Sequence, residues 1–225
     1  MTPEFSESFR GELMELFRWR RDVRRFRPKP LENGALERLL DAACLAPSVG
    51  NSQPWRFVRV DEAARRAAVR AEFLRCNEQA LAGYDGDQAA KYASLKLAGL
   101  DEAPLQLAAF VDRGTKAGHG LGQQTQPETS AYSVVAAVQT LWLAARAEGI
   151  GVGWLSILDA DKVAEILDVP ESWSLIAYLC IGYPQEEHLD PELERHDWQP
   201  RDASARTLLT RIFHERGTAK PYNAL

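Results

Sequence analysis

Between Thr129 and Glu148 the chain reads TSAYSVVAAVQTLWLAARAE, which is apolar almost all the way round a helical wheel. Val134, Val135, Val138, Leu141, Trp142 and Leu143, interleaved with alanines, leave no broad polar face for water. A helix of that kind has to be buried. The spacing predicts a helix capped by Thr129 or Ser130, running to Glu148 and closed by the glycine at Gly149. It needs cover on more than one side, from a sheet and from a second subunit. A single domain of 225 residues can hardly bury it alone.

The rest of the chain supplies the sheet. Leu31 to Ala46 has apolar residues at helical spacing (Leu36, Leu39, Leu40, Ala43, Cys44), and Pro47 ends it. The loop Ala46 to Trp55 follows, then a short strand through Phe57, Val58 and Val60. Ala63 to Gly83 is helical in composition, Asp85-Gly86-Asp87 breaks it, and Gln88 to Leu100 is helical again. Pro104 to Asp112 is almost wholly apolar and predicts a buried strand. Gly114 to Gln126 is a long polar loop, of the kind that serves as a lid or binding loop. Gly149 to Gly153 leads into a short strand or extended stretch, Trp154 to Ile157. Asp159 can cap a short helix to Leu167, and Leu175 to Gly182 is a further strand. The polar tail carries Pro184, Pro191 and Pro200 and reads as extended, with a final helical turn at Leu208 to Phe213. The chain is thus one domain, residues 1–225, of mixed α and β structure around a small sheet of three or four strands.

Composition removes several function classes. A net charge of -5 and a pI near 5.5 argue against nucleic acid or an anionic membrane as partner. Cys44, Cys76 and Cys180 form no CxxC and no even set, which fits a reducing cytoplasm and buried packing roles. Met1 to Arg10 shows no apolar signal region, and no apolar run reaches the length of a membrane span. Gly118-His119-Gly120-Leu121-Gly122 has no following Gly-Lys-Ser/Thr. Gly149 to Gly153 follows a helix where a dinucleotide fingerprint needs a strand. His119, His188, His196 and His214 lack ligand spacing, so no metal site is expected. No nucleophile elbow is present.

Chemistry concentrates elsewhere. In Arg20-Arg21-Asp22-Val23-Arg24 three guanidiniums crowd one carboxylate. Arginine's planar fork of donors matches phosphate bidentately, so the cluster can hold the terminal phosphate of a ligand. Asp22 should stay ionised in that field, ready to accept a proton or a hydrogen bond. Charge runs are usually solvated helix ends, and the accompanying features decide the matter. Ser48, Asn51 and Gln53 present hydroxyl and amide groups suited to the edge of a heterocycle. Gly151 to Ser156 lets backbone approach a flat ring. Trp55 and Trp154 can shield such a ring, though core packing is the commoner role of tryptophan. A bound phosphate, an amide-lined loop and a glycine-approached plane together suggest FMN.

These stretches resemble the FMN-binding nitroreductase superfamily and, within it, the subgroup of 5,6-dimethylbenzimidazole synthases. The general pattern is Arg-Arg-Ser-x-Arg, and this chain has Asp22 at the third place. Asp22 and Trp154-Leu155-Ser156 are the discriminating pieces, while the Pro47 to Trp55 loop is common to the superfamily. Tyr92 to Gly99 and Tyr132 to Gln139 also resemble the subgroup, and the likeness spans roughly residues 15 to 185. It implies an α+β nitroreductase-like fold: a small, mainly antiparallel central sheet flanked by helices. It also implies an extended C-terminal tail, after about residue 185, wrapping the partner of a homodimer. The implied reaction takes reduced FMN as substrate with O2 and yields 5,6-dimethylbenzimidazole, the lower ligand of cobalamin, and erythrose 4-phosphate. The resemblance makes Asp22 and Ser156 the catalytic pair. It places the flavin against Arg20, Arg21, Asp22, Val23, Arg24, Pro47, Ser48, Asn51, Leu95, Gly153, Trp154, Leu155, Ser156 and Arg201. Lys91 to Leu100 would close as a lid that leaves little room for a nicotinamide, so a separate flavin reductase would supply the substrate. The competing expectations are an NAD(P)H-dependent FMN nitroreductase and a flavin-holding protein without turnover.

Overall fold

The computed structural model describes residues 4–95, 99–202, 214–215 and 218–219. The chain divides into two compact units, Met1–Pro191 and Glu192–Leu225.

The first unit is built on a four-stranded antiparallel sheet made of β1 (Trp55–Arg59), β2 (Leu105–Asp112), β3 (Gly151–Leu155) and β4 (Trp173–Gly182), in the order β1-β2-β4-β3. Both central strands are apolar on both faces, and their period of two sorts side chains between two cores. On one face Leu107, Ala109, Val111, Ala177, Leu179 and Ile181 pack with α2 (Ala35–Ala43) and α6 (Thr129–Ala147). On the other, Ala108, Phe110, Tyr178 and Cys180 pack with α3 (Ala63–Leu81) and α7 (Ala160–Leu167). α1 (Glu7–Trp19) buries none of its residues. A mainly antiparallel sheet between helices matches the expected α+β class.

Several boundaries differ from the sequence reading. α2 begins at Ala35 because Gly34 is left-handed (φ 81°) and cannot continue a helix. The helix expected over Gln88 to Leu100 is α4 (Gly86–Ser94), broken by an extended Leu95, and then the short α5 (Gly99–Glu102); residues 96–98 lie outside the described residues. Neither Thr129 nor Ser130 caps α6. The N-cap is Glu128, without a side-chain hydrogen bond, and the Thr129 hydroxyl donates to the Gln126 carbonyl at 2.6 Å. Asp159 does cap α7, its Oδ1 accepting from the amides of Asp161 and Lys162. α6 is only partly covered: Leu141 and Val138 are buried, but Tyr132 is 61% and Val135 40% exposed. Cys44 is exposed and Cys76 donates to a carboxylate, so of the three cysteines only Cys180 has the buried role expected.

The second unit is not simply extended. It holds a short helix α8 (Glu192–Arg195), with His196 Nε2 3.6 Å from Glu192, and a two-stranded pair, β5 (His214–Glu215) with β6 (Thr218–Ala219). The turn expected at Leu208 to Phe213 lies outside the described residues.

Candidate functional site

α1 ends at Trp19, and Arg20 at its C-cap is already extended (φ -69°, ψ 111°). From there the chain runs along the outer edge of β3. Asp22 forms a parallel bridge with Val152, and the Val23 amide donates to the Val152 carbonyl at 3.0 Å. Asp22 Oδ1 accepts from the Trp154 amide at 2.9 Å, so a side chain satisfies one edge N–H of the sheet. Further on, Phe26 bridges to Pro184, Arg27 donates to the Tyr183 carbonyl at 2.8 Å, and the Phe26 amide donates to Glu102 at 3.0 Å. The segment is held as an added strand.

Two glycines make this docking possible. A Cβ at Gly153 would lie 2.2 Å from the Val23 carbonyl oxygen, and one at Gly151 would lie 2.8 Å from Val23 Cγ2. The sequence reading gave these glycines to a ligand ring. The structure gives the space in front of both to Val23.

Beside this seam lies a shallow hollow, open to solvent, that encloses about 20 Å³, room for roughly one water. Asp22, Val23, Arg24, Gly153, Trp154 and Leu155 line it together with Gly99 and Leu100, from the stretch expected to form a lid, and Cys180, expected only to pack. Cys180 carries no motif, and sheet packing alone brings it here. The Asp22 side chain is 40% exposed and the Arg24 side chain 13%, with Arg24 Nε 3.4 Å from Asp22 Oδ2. Burial, then the charge of Asp22, pushes the Cys180 thiol up to about 12. It is therefore protonated at neutral pH and no nucleophile.

The other predicted residues are not among those that line this hollow. Arg20 lies over the Trp142 ring, 4.9 Å from its centroid. Arg21 Nε donates to the Leu189 carbonyl at 2.6 Å, and its Nη1 to the Arg20 carbonyl at 2.8 Å. Ser156 is exposed and directly follows β3. Leu95 is half-buried after α4, and Arg201 is exposed in the second unit.

The loop from Pro47 to Gln53 spends much of its polarity on itself. The Ser48 hydroxyl accepts from the Gln53 amide at 3.1 Å, and the Val49 amide donates to Ser133 Oγ at 3.0 Å. Asn51 (φ 54°) and Gln53 (φ 45°) are left-handed. Pro47 and Asn51 are exposed, whereas Trp55 is core. The loop packs on a 3-10 turn at Ala117–Gly120, where a Cβ at Gly118 would come 2.6 Å from the Gly50 carbonyl. Ser52 Oγ is buried with no hydrogen-bond partner among the described residues.

This arrangement suits a flat, phosphate-bearing ligand. Arg20 and Arg24 offer fixed cations, Asp22 offers a carboxylate at the hollow, and Val23, Leu100 and Leu155 offer apolar wall. Among the described residues no group of three or more His, Cys, Asp and Glu side chains could hold a metal ion, and no helix is long and apolar enough to cross a membrane.

Comparison with known proteins adds the following. The model of the nitroreductase family matches residues 17–183. A 5,6-dimethylbenzimidazole synthase of Rhodospirillum rubrum is 60% identical over 199 residues, covering 88% of this chain and 94% of that protein. A protein of the same description from Rhodobacter capsulatus is 48% identical over 195 residues, covering 87% of this chain and 94% of the relative. A crystal structure of oxidized iodotyrosine deiodinase bound to FMN and 3-iodo-L-tyrosine superposes with a TM-score of 0.71 at 24% identity, over 89% of this chain and 100% of that one. That last likeness is one of fold.

Proposed function

This chain belongs to the nitroreductase family, and from that premise we propose that it is an aerobic 5,6-dimethylbenzimidazole synthase. Reduced FMN is its substrate, and with O2 the flavin is fragmented to 5,6-dimethylbenzimidazole, the lower ligand of cobalamin, and erythrose 4-phosphate. The observation that carries the reading is Asp22. Its carboxylate is aimed by the Trp154 amide, stands beside Arg24 and borders the hollow. It stands where the wider family pattern has a serine.

The chain's residues divide the work. Arg20, Arg21 and Arg24 hold the phosphate and ribityl end by charge-assisted hydrogen bonds. Pro47, Ser48, Asn51 and Leu95 border the flavin. Val23, Gly153, Trp154 and Leu155 shape the hollow. Asp22 Oδ1 accepts from the Trp154 amide and Oδ2 from Arg24 Nε at 3.4 Å, and this held carboxylate serves proton transfer. Ser156 orients or relays that proton. The apolar wall and the segment around α4 exclude water, which oxygen chemistry on a reduced ring requires. The partly uncovered Tyr132 and Val135 face of α6 supports a homodimer in which each site draws on both chains. The enzyme works in the cytoplasm, with a separate flavin reductase supplying its substrate.

Incubation of purified protein with chemically reduced FMN in air, followed by mass spectrometry, tests the reading. Loss of flavin with appearance of the benzimidazole is expected. Intact FMN that cycles with NADPH and a nitro compound would make the chain an ordinary nitroreductase, and bound, unchanged flavin would make it a holder.

A further inference from the structure

Trp142 belongs to the apolar run of α6, yet its indole does more than fill the core. It is 7% exposed. Its Nε1 donates to the Arg21 carbonyl at 3.3 Å, and its ring lies 4.9 Å from the Arg20 guanidinium carbon. The same ring stands 6.4 Å from that of Trp154, whose amide aims Asp22. One side chain therefore holds a backbone carbonyl of the arginine segment, lies against a guanidinium and adjoins the strand that orients the acid.

We propose that Trp142 is a positioning residue for the phosphate end of the ligand, acting through Arg20. This rests on the reading that Arg20 to Arg24 bind the phosphate of FMN. An arginine side chain in water samples many rotamers, and ordering it costs free energy each time it binds an anion. Held against an aromatic face, a guanidinium keeps fewer rotamers and loses less entropy when it binds an anion. The indole N–H adds what a plain core aromatic would not. It pins the Arg21–Asp22 peptide, so the stacked cation is presented at a fixed height relative to Asp22. Trp142 never needs to touch the ligand. Its contribution appears only for ligands that carry a phosphate.

That restriction is the test. Anaerobic titrations of wild type, Trp142→Phe and Trp142→Leu would compare reduced FMN with reduced riboflavin, which lacks the phosphate. Trp142→Phe keeps a ring but loses the donor, and Trp142→Leu loses both. Reduced FMN affinity is expected to fall about threefold in the first and about tenfold in the second, while riboflavin affinity stays within about twofold. In turnover KM for reduced FMN rises, with kcat changed less. Equal losses for the two flavins would overturn the proposal, since indiscriminate damage to the core hits both. Unchanged FMN affinity in Trp142→Phe would also overturn it, and this variant preserves packing if the leucine fails to fold. If wild type itself binds both flavins equally, the phosphate reading falls, and the positioning role falls with it.

Discussion

Two carboxylates in this molecule have the same kinds of partner and opposite circumstances. Glu72 on α3 has a side chain only 6% exposed and receives Arg75 Nη2 at 2.5 Å, Arg75 Nε at 2.9 Å and the Cys76 thiol at 3.1 Å. Arg75 above all, helped by the Cys76 thiol and an Asp159 backbone hydrogen bond, holds its acid at about 2 against the opposing effect of burial. Asp22 accepts from the Trp154 amide at 2.9 Å and from Arg24 Nε at 3.4 Å, and its side chain is 40% exposed at a hollow. Saturated on both oxygens, Glu72 can only hold α3 to the start of α7. Asp22 is held on both oxygens too, but at the edge of a hollow. An acid–arginine pair alone does not mark a catalytic group; what matters is whether the fold sets the carboxylate at a cavity.

Exchanging the two acids for their amides is the strongest test of that contrast. Asp22→Asn should cut benzimidazole formation about a thousandfold and leave reduced FMN binding within about threefold, measured by single turnover and anaerobic titration. Full product formation in this variant would erase the difference between the two acids. Gly153→Ala attacks the support of Asp22 without touching its charge. Its new Cβ would stand 2.2 Å from the Val23 carbonyl, a backbone atom that cannot swing aside. It should cost about 3 kcal/mol in urea unfolding and displace the Asp22 seam. Glu72→Gln should be the mirror image of Asp22→Asn, losing about 1 to 2 kcal/mol of stability and leaving turnover per folded molecule unchanged.

The smallest effect is on pH dependence. The Glu72 acid is depressed from its ordinary value of 4.5 to about 2. Its stabilisation is therefore fully present above 4.5 and is lost as pH falls toward 2. Glu72→Gln should flatten the stability curve in that window and nowhere above it. A slope that survives the substitution would assign acid sensitivity to other carboxylates.

Much of this was legible in the chain, for identifiable reasons. Long apolar periodicity placed α6, β2 and β4 because burial on both sides dominates any competing preference. Asp159 and Gly149 declared helix ends because a cap and a left-handed residue have few substitutes. Arg20 to Arg24 and Gly153 to Ser156 were visible as candidate chemistry. Their mutual docking was not, since nothing local says that Gly151 and Gly153 receive Val23. Gly99 and Leu100 fell within the stretch expected as a lid, whereas Cys180 was hidden because a cysteine in an apolar strand looks like packing until the sheet places it. Trp142 was read as core for the same reason. The Thr129 cap failed because a hydroxyl can also donate backward, here to Gln126.

The central claim is that the arginine segment on the edge of β3 receives the phosphate of a reduced flavin and sets Asp22 over its ring. An anaerobic crystal structure with reduced FMN tests it most directly. The account predicts the phosphate within hydrogen-bond distance of Arg20 and Arg24, with the Asp22 carboxylate turned to the ring or ribityl chain. A phosphate bound away from both guanidiniums, with Asp22 shielded from the flavin, would contradict it.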